Sequence, residues 1–142
     1  MEPVSKRAAL ECLENDWPSL AKRFMSLPAQ EKEKFLDRQG FAGFADLLSH
    51  IIAWWGEALT NIQAAAKDAD FKTRTYDVDR FNAEAIKAKF GKDEEAVIRE
   101  FEDARKRLME AVSALTEAQI ANGEIQKQLY WMITNHCAEH KL

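Results

Sequence analysis

Apolar side chains recur every three or four residues along most of this chain, the spacing of a helix that buries one face. Leu10, Leu13, Trp17, Leu20, Phe24 and Leu27 make the first such stripe. Pro18 interrupts it without shifting its phase, so the pattern predicts one helix kinked at the proline rather than two helices. Pro28-Ala29-Gln30-Glu31 then opens a short charged helix, with proline near its first turn. Gly40 and Gly43 bracket the entry to a second long helix over residues 41–62, carried by Phe44, Leu47, Leu48, Ile51, Trp54, Trp55, Leu59 and Ile62. Between residues 67 and 78 the periodicity disappears, which predicts a loop across the end of the fold. Asp79 is the expected N-cap of a short helix over residues 80–90, ended by Gly91. A third long helix is expected over residues 93–115 on Val97, Ile98, Phe101, Ala104, Leu108, Val112 and Leu115. Thr116 and Gln119 have capping-box spacing. The last helix then runs to the C-terminus with Ile125, Leu129, Met132, Ile133, His136 and His140 on one stripe.

No segment alternates as a strand would. The expected architecture is therefore all-α: a single domain over residues 1–142, built as a four-helix bundle with a long crossover between helices 2 and 3. Composition narrows this mainly by exclusion. The net charge is −4 and basic residues are interleaved with acidic ones, so nucleic acid is not an expected partner. No apolar run approaches the roughly 20 residues of a membrane span. Residues 1–7 lack the apolar core of a leader, so a cytoplasmic protein is the expectation. Cys12 and Cys137 are distant in sequence and expected to stay reduced. A glycine-rich phosphate loop, a serine elbow and a CxxC pair are all missing from the sequence, which removes the usual supports for nucleotide and hydrolase chemistry.

The chemistry in the pattern is in its histidines, of which there are three. His136 and His140 are four residues apart, which sets two imidazoles on one helix face with Cβ atoms about 6 Å apart, close enough to share one cation. Both take inward stripe positions, costly for a polar ring unless something satisfies it. His50, on the edge of the second long helix, faces a neighbouring helix and can complete a three-nitrogen metal site with one position open. Core histidines bonded to carboxylates are the bland alternative. Asp46 and Glu57 share the His50 edge and are the candidates to orient an imidazole through its other nitrogen. Trp54, one turn from His50, is a candidate pocket wall. Cys137 is turned about 100° from His136 and is expected to face away from the pair. The doublets Trp54-Trp55 and Tyr130-Trp131 offer more aromatic surface than one core of this size readily hides, which predicts a homodimer.

The run Gly40-Phe41-Ala42-Gly43-Phe44-Ala45-Asp46-Leu47-Leu48-Ser49-His50-Ile51-Ile52-Ala53-Trp54-Trp55, with Asn135-His136-Cys137-Ala138-Glu139-His140, resembles the DinB/YfiT-like metalloenzyme superfamily, including its ClbS/DfsB-type members. That resemblance implies an up-down-down-up bundle, often dimeric, holding one zinc or nickel ion on His50, His136 and His140. Relatives of that kind include S-transferases that use low-molecular-weight thiols. Only two residues follow His140, so the final turn is expected to fray unless a ligand pins it. The leading expectation is a divalent-metal-dependent small-molecule enzyme, thiol S-transferase-like or hydrolase-like, with its catalytic residues unassigned. The alternative is a non-catalytic binding or stress-associated bundle whose histidines are relics.

Overall fold

The computed structural model describes residues 2–88 and 91–140. Within them the chain is all-helical, with seven helices and no strand. Helix α1 covers residues 6–26, running as Lys6–Glu11, a wide π segment Cys12–Asp16, and Trp17–Ser26. Then come α2 (Ala29–Gln39), α3 (Phe44–Lys67), α4 (Val78–Ala88), α5 (Glu94–Ser113) and the single turn α6 (Glu117–Ile120). Helix α7 covers residues 123–139 as Gly123–Gln128, a second π segment Leu129–Thr134, and Asn135–Glu139. No helix among the described residues is long and apolar enough to cross a membrane.

The proline in α1 acts through that first π segment. Trp17 donates its backbone N–H to the Cys12 carbonyl, five residues back. Leu13 would then look to residue 18 for its donor, and proline has none. The Arg105 guanidinium of α5 fills the gap, donating to the Leu13 carbonyl at 3.0 Å while also bonding Glu102 at 2.7 Å. The helix is therefore continuous, with Leu10 packed against the core and Leu20 buried within it. A hydrogen bond from a charged donor contributes about 2 kcal/mol. Arg105→Ala should lower unfolding free energy by about that much in a urea titration, and an unchanged midpoint would remove this role.

Several boundaries follow the sequence closely and others move. Gly40 ends α2 in the left-handed region at φ 82°, and Gly43 precedes α3 as its N-cap. The crossover helix starts one residue before the expected cap: Val78 is its first residue, and the Asp77 carboxylate accepts the Arg80 amide at 3.2 Å, the role expected of Asp79. Its predicted end at residue 90 lies outside the described residues; Gly91, beyond it, has φ 81°. Thr116 and Gln119 do form a capping box, but over one turn only. Asn122 then caps α7 anew, accepting the amides of Glu124 and Ile125.

Helix α3 packs against α5 and α7, and α1 packs against the same two. The core they share centres on Trp17, Trp55 and Phe101, with the Trp17 and Trp55 rings edge-on at 4.9 Å and Trp55 stacked on Phe101 at 5.2 Å. A buried indole needs an acceptor for its N–H. Trp55 finds the Met132 carbonyl at 3.0 Å and Trp17 the Ile133 carbonyl at 3.2 Å, both in the π segment of α7. The chain start is clasped to α7 by Gln126, whose side-chain amide accepts from the Val4 N–H and donates to the Val4 carbonyl. Of the two aromatic doublets, Trp54 and Trp55 are buried within the chain and Trp131 is 53% exposed.

Candidate metal centre

Two helices, α3 and α7, place the candidate site. His50 stands two turns into α3, and His136 and His140 come from the last turns of α7. His140 caps that helix rather than continuing it, its N–H reaching back to the Cys137 carbonyl at 3.2 Å. All three rings are buried. One nitrogen from each lies within 4.8 Å of the other two, and the Nε2 atoms of His50 and His136 are 3.0 Å apart. Tetrahedral zinc with nitrogen ligands at 2.0–2.1 Å sets its ligand atoms about 3.3 Å apart, so the spacing suits one small cation.

The tautomers are fixed by side-chain amides. Asn82 of α4 presents its Oδ1 to the His50 Nδ1 at 2.9 Å and accepts the Trp54 Nε1–H on the same oxygen at 2.6 Å. Indole only donates, so that atom is the oxygen and His50 Nδ1 carries a proton. Gln39 presents its Oε1 to His140 Nδ1 at 2.7 Å and spends its amide N–H on the Glu139 carbonyl. His140 Nδ1 is therefore also protonated. Both rings keep an Nε2 lone pair turned inward, and His140 Nε2 is buried with no hydrogen-bond partner. A lone pair in that position is a polar atom without an explanation unless a cation takes it.

Electrostatics agree with a ligand set. Burial pushes His136 well below the usual imidazole range, with the charges of His140 and then His50 adding to it and the Met132 carbonyl opposing weakly. Burial, then His50, brings His140 to about 4. Burial lowers His50 too, against the hydrogen bond that its Nδ1–H donates to Asn82. Neutral imidazole is the form that binds metal, and these rings are neutral at pH 7 without a metal present.

The three sequence-predicted histidines thus come together, but their expected carboxylate partners do not join them. Asp46 is half-buried in the first turn of α3, and the imidazole hydrogen bonds run to the amides of Asn82 and Gln39 and between His50 and His136 instead. Glu57 turns the other way: it holds Arg74 at 2.9 Å and the Tyr76 hydroxyl at 3.0 Å, pinning the crossover. Trp54 touches the centre through Asn82 and packs under the crossover against Phe81, ring centroids 4.1 Å apart, so it braces the Asn82–His50 contact rather than walling an open pocket. Phe41, with ring centroids 5.3 Å from His50 and 6.2 Å from His140, supplies the nearest apolar wall. Sequence reasoning missed Asn82, Gln39 and Phe41. The only trace of Asn82 is a small polar residue beside Phe81 on an otherwise ordinary amphipathic helix.

A second juxtaposition was also invisible in the sequence. Cys12 and Cys137 come together at the contact of α1 with α7, where both line one cleft. A hydrogen bond to Cys137, followed by burial, pushes the Cys12 thiol far up.

Comparison with family models, with curated proteins and with solved structures returned no match. The site has to be read from its own geometry.

Proposed function

We propose that His50, His136 and His140 hold one divalent cation, zinc or nickel, and that the protein is a metal-dependent enzyme acting on a small molecule. The observation that carries this reading is the convergence of three buried imidazoles, two of them locked by amide oxygens with their Nε2 lone pairs facing inward. We read α1, α3, α5 and α7 as a four-helix bundle whose crossover is residues 68–93, an arrangement that fits the DinB/YfiT-like group its histidine pattern resembles. A bound cation would favour deprotonation of a water or a low-molecular-weight thiol at the remaining position. Thiol transfer and hydrolysis both fit that chemistry. The chain's own contribution is to hold the imidazoles neutral, to orient them through Asn82 and Gln39, and to exclude water with Phe41 and Trp54. Homodimerisation remains part of this proposal, and its surface argument now rests on Trp131.

The test is elemental analysis of protein purified without a nickel or cobalt column. One equivalent of metal per chain supports the reading, and loss of stoichiometry in His50→Ala assigns it to the centre. A metal-free preparation that takes up neither zinc nor nickel sinks it, and leaves a non-catalytic bundle. Asn82→Leu should weaken zinc binding about 10- to 100-fold in a chelator competition, since ligand-orienting partners typically matter by that much. Unchanged affinity would show that the Asn82 contact is incidental.

A further inference from the structure

Cys12 and Cys137 are 125 positions apart in sequence and share one cleft. Both line an opening of about 350 Å³ between α1 and the end of α7, with Asp16, Ser19, Arg23 and Thr134 around it. That volume is at the small end of ligand-sized sites. The two π segments meet here. Cys12 directs its sulfur at the Ile133 carbonyl, 3.6 Å away. The Cys12 side chain is also within hydrogen-bonding reach of Cys137. Burial distinguishes the two: Cys12 is 5% exposed, whereas Cys137 is half-buried on the cleft wall. Both are thiols.

We propose that Cys12 and Cys137 form a redox-active dithiol, with Cys137 the attacking thiol and Cys12 the resolving one, oxidised by a small organic disulfide that enters this cleft. The exchange has two steps. The Cys137 sulfur, its proton lost to solvent, attacks one sulfur of the small disulfide; a protein–ligand S–S bond forms, the ligand's own S–S bond breaks, and one small thiol leaves. The Cys12 thiol then attacks the Cys137 sulfur, its proton passing to the small thiolate that is expelled, and a Cys12–Cys137 disulfide closes. The protein gives up two electrons and two protons, and the small disulfide takes them up as two thiols. Such a bond would tie residue 12 of the first helix to residue 137 of the last. The proposal stands on the cleft and does not depend on metal at the histidines.

The full chain incubated with glutathione disulfide, quenched with an alkylating agent and weighed intact, tests it. Wild type is expected to lose both alkylatable thiols, to carry no lasting glutathione, and to yield a tryptic peptide joining residues 12 and 137. Cys12→Ser should accumulate one glutathione adduct on Cys137, and Cys137→Ser should react at least about tenfold more slowly because its remaining thiol is buried. Circular dichroism on both variants establishes that they fold, and the wild-type result stands by itself if either does not. A wild type that stays unmodified, or that keeps an adduct on Cys137 without closing, overturns the proposal. So does equal reactivity of the two single variants.

Discussion

His136→Ala should abolish the rise in melting temperature that zinc or nickel gives the wild type. A ligand that binds only the native state stabilises it by about 2.7 kcal/mol at one hundred times its dissociation constant. For a domain of this length that is a shift of about 10 °C. The ring of His136 is buried with its Nε2 3.0 Å from that of His50, and its loss leaves two imidazoles to compete with water for the cation. His140→Ala should weaken binding less severely, because His140 is the capping residue at the helix end rather than lying within the helix. Each variant is compared with itself in the presence and absence of chelator, so packing losses such as the Trp17–His136 edge contact at 5.5 Å cancel. A wild type whose melting temperature ignores both metals would falsify the assignment.

The metal-free protein should be acid-labile in a window set by the same three rings. In the unfolded chain each imidazole takes up its proton near pH 6.5, whereas the folded chain holds His140 off to about 4 and burial keeps His136 well below its ordinary range. The unfolded state therefore binds more protons throughout that interval, and stability rises with pH across it. The contribution is complete above about pH 6.5 and is progressively lost as the pH falls toward 4. One pH unit of such a shift is worth about 1.4 kcal/mol per ring, so His140 alone removes about 3 kcal/mol by pH 4. A typical domain holds only 5–15 kcal/mol in all. Glu124 is held at about 2, chiefly by Lys127 and then by the Thr73 amide. Its own contribution begins to be lost only near pH 4.5, where the unfolded carboxyl starts to take up a proton, which leaves the histidines to set the upper part of the fall. Urea midpoints measured between pH 7.5 and 4.5 should fall steeply below pH 6.5 without metal, and bound zinc should move the fall to lower pH. A flat profile over that range would remove the buried neutral cluster from the folded state.

The helices were legible in the sequence because burial alone dictates a period, and the three histidines because they occupy stripe positions where a polar ring demands an explanation. What escaped has a common cause. Asn82, Gln39 and the Cys12–Cys137 pair owe their roles to elements brought together across the fold, and nothing periodic marks them. Asp46 and Glu57 were attractive because carboxylates commonly orient metal-bound imidazoles, yet Glu57 has Arg74 and Tyr76 in reach, and a charged partner holds a carboxylate more strongly than a neutral ring does. The split of residues 116–139 into one capped turn and a second capped helix turned on Asn122, whose side chain takes two amides that a continuous helix would have kept for itself.

The wide turn over Leu129–Thr134 acts as a phase setter for everything after it. It accommodates one residue more than an ordinary turn, and each residue of a regular helix advances the azimuth by about 100°. Closing it into an ordinary turn by deleting a single residue would swing His136 and His140 about a quarter of the way round the helix axis, out of reach of His50, while every helix in the chain persisted. The imidazole cluster is thus timed by chain length as well as composed by residue type. A homologous chain with the same three histidines but a one-residue difference in that turn would present a different face to α3.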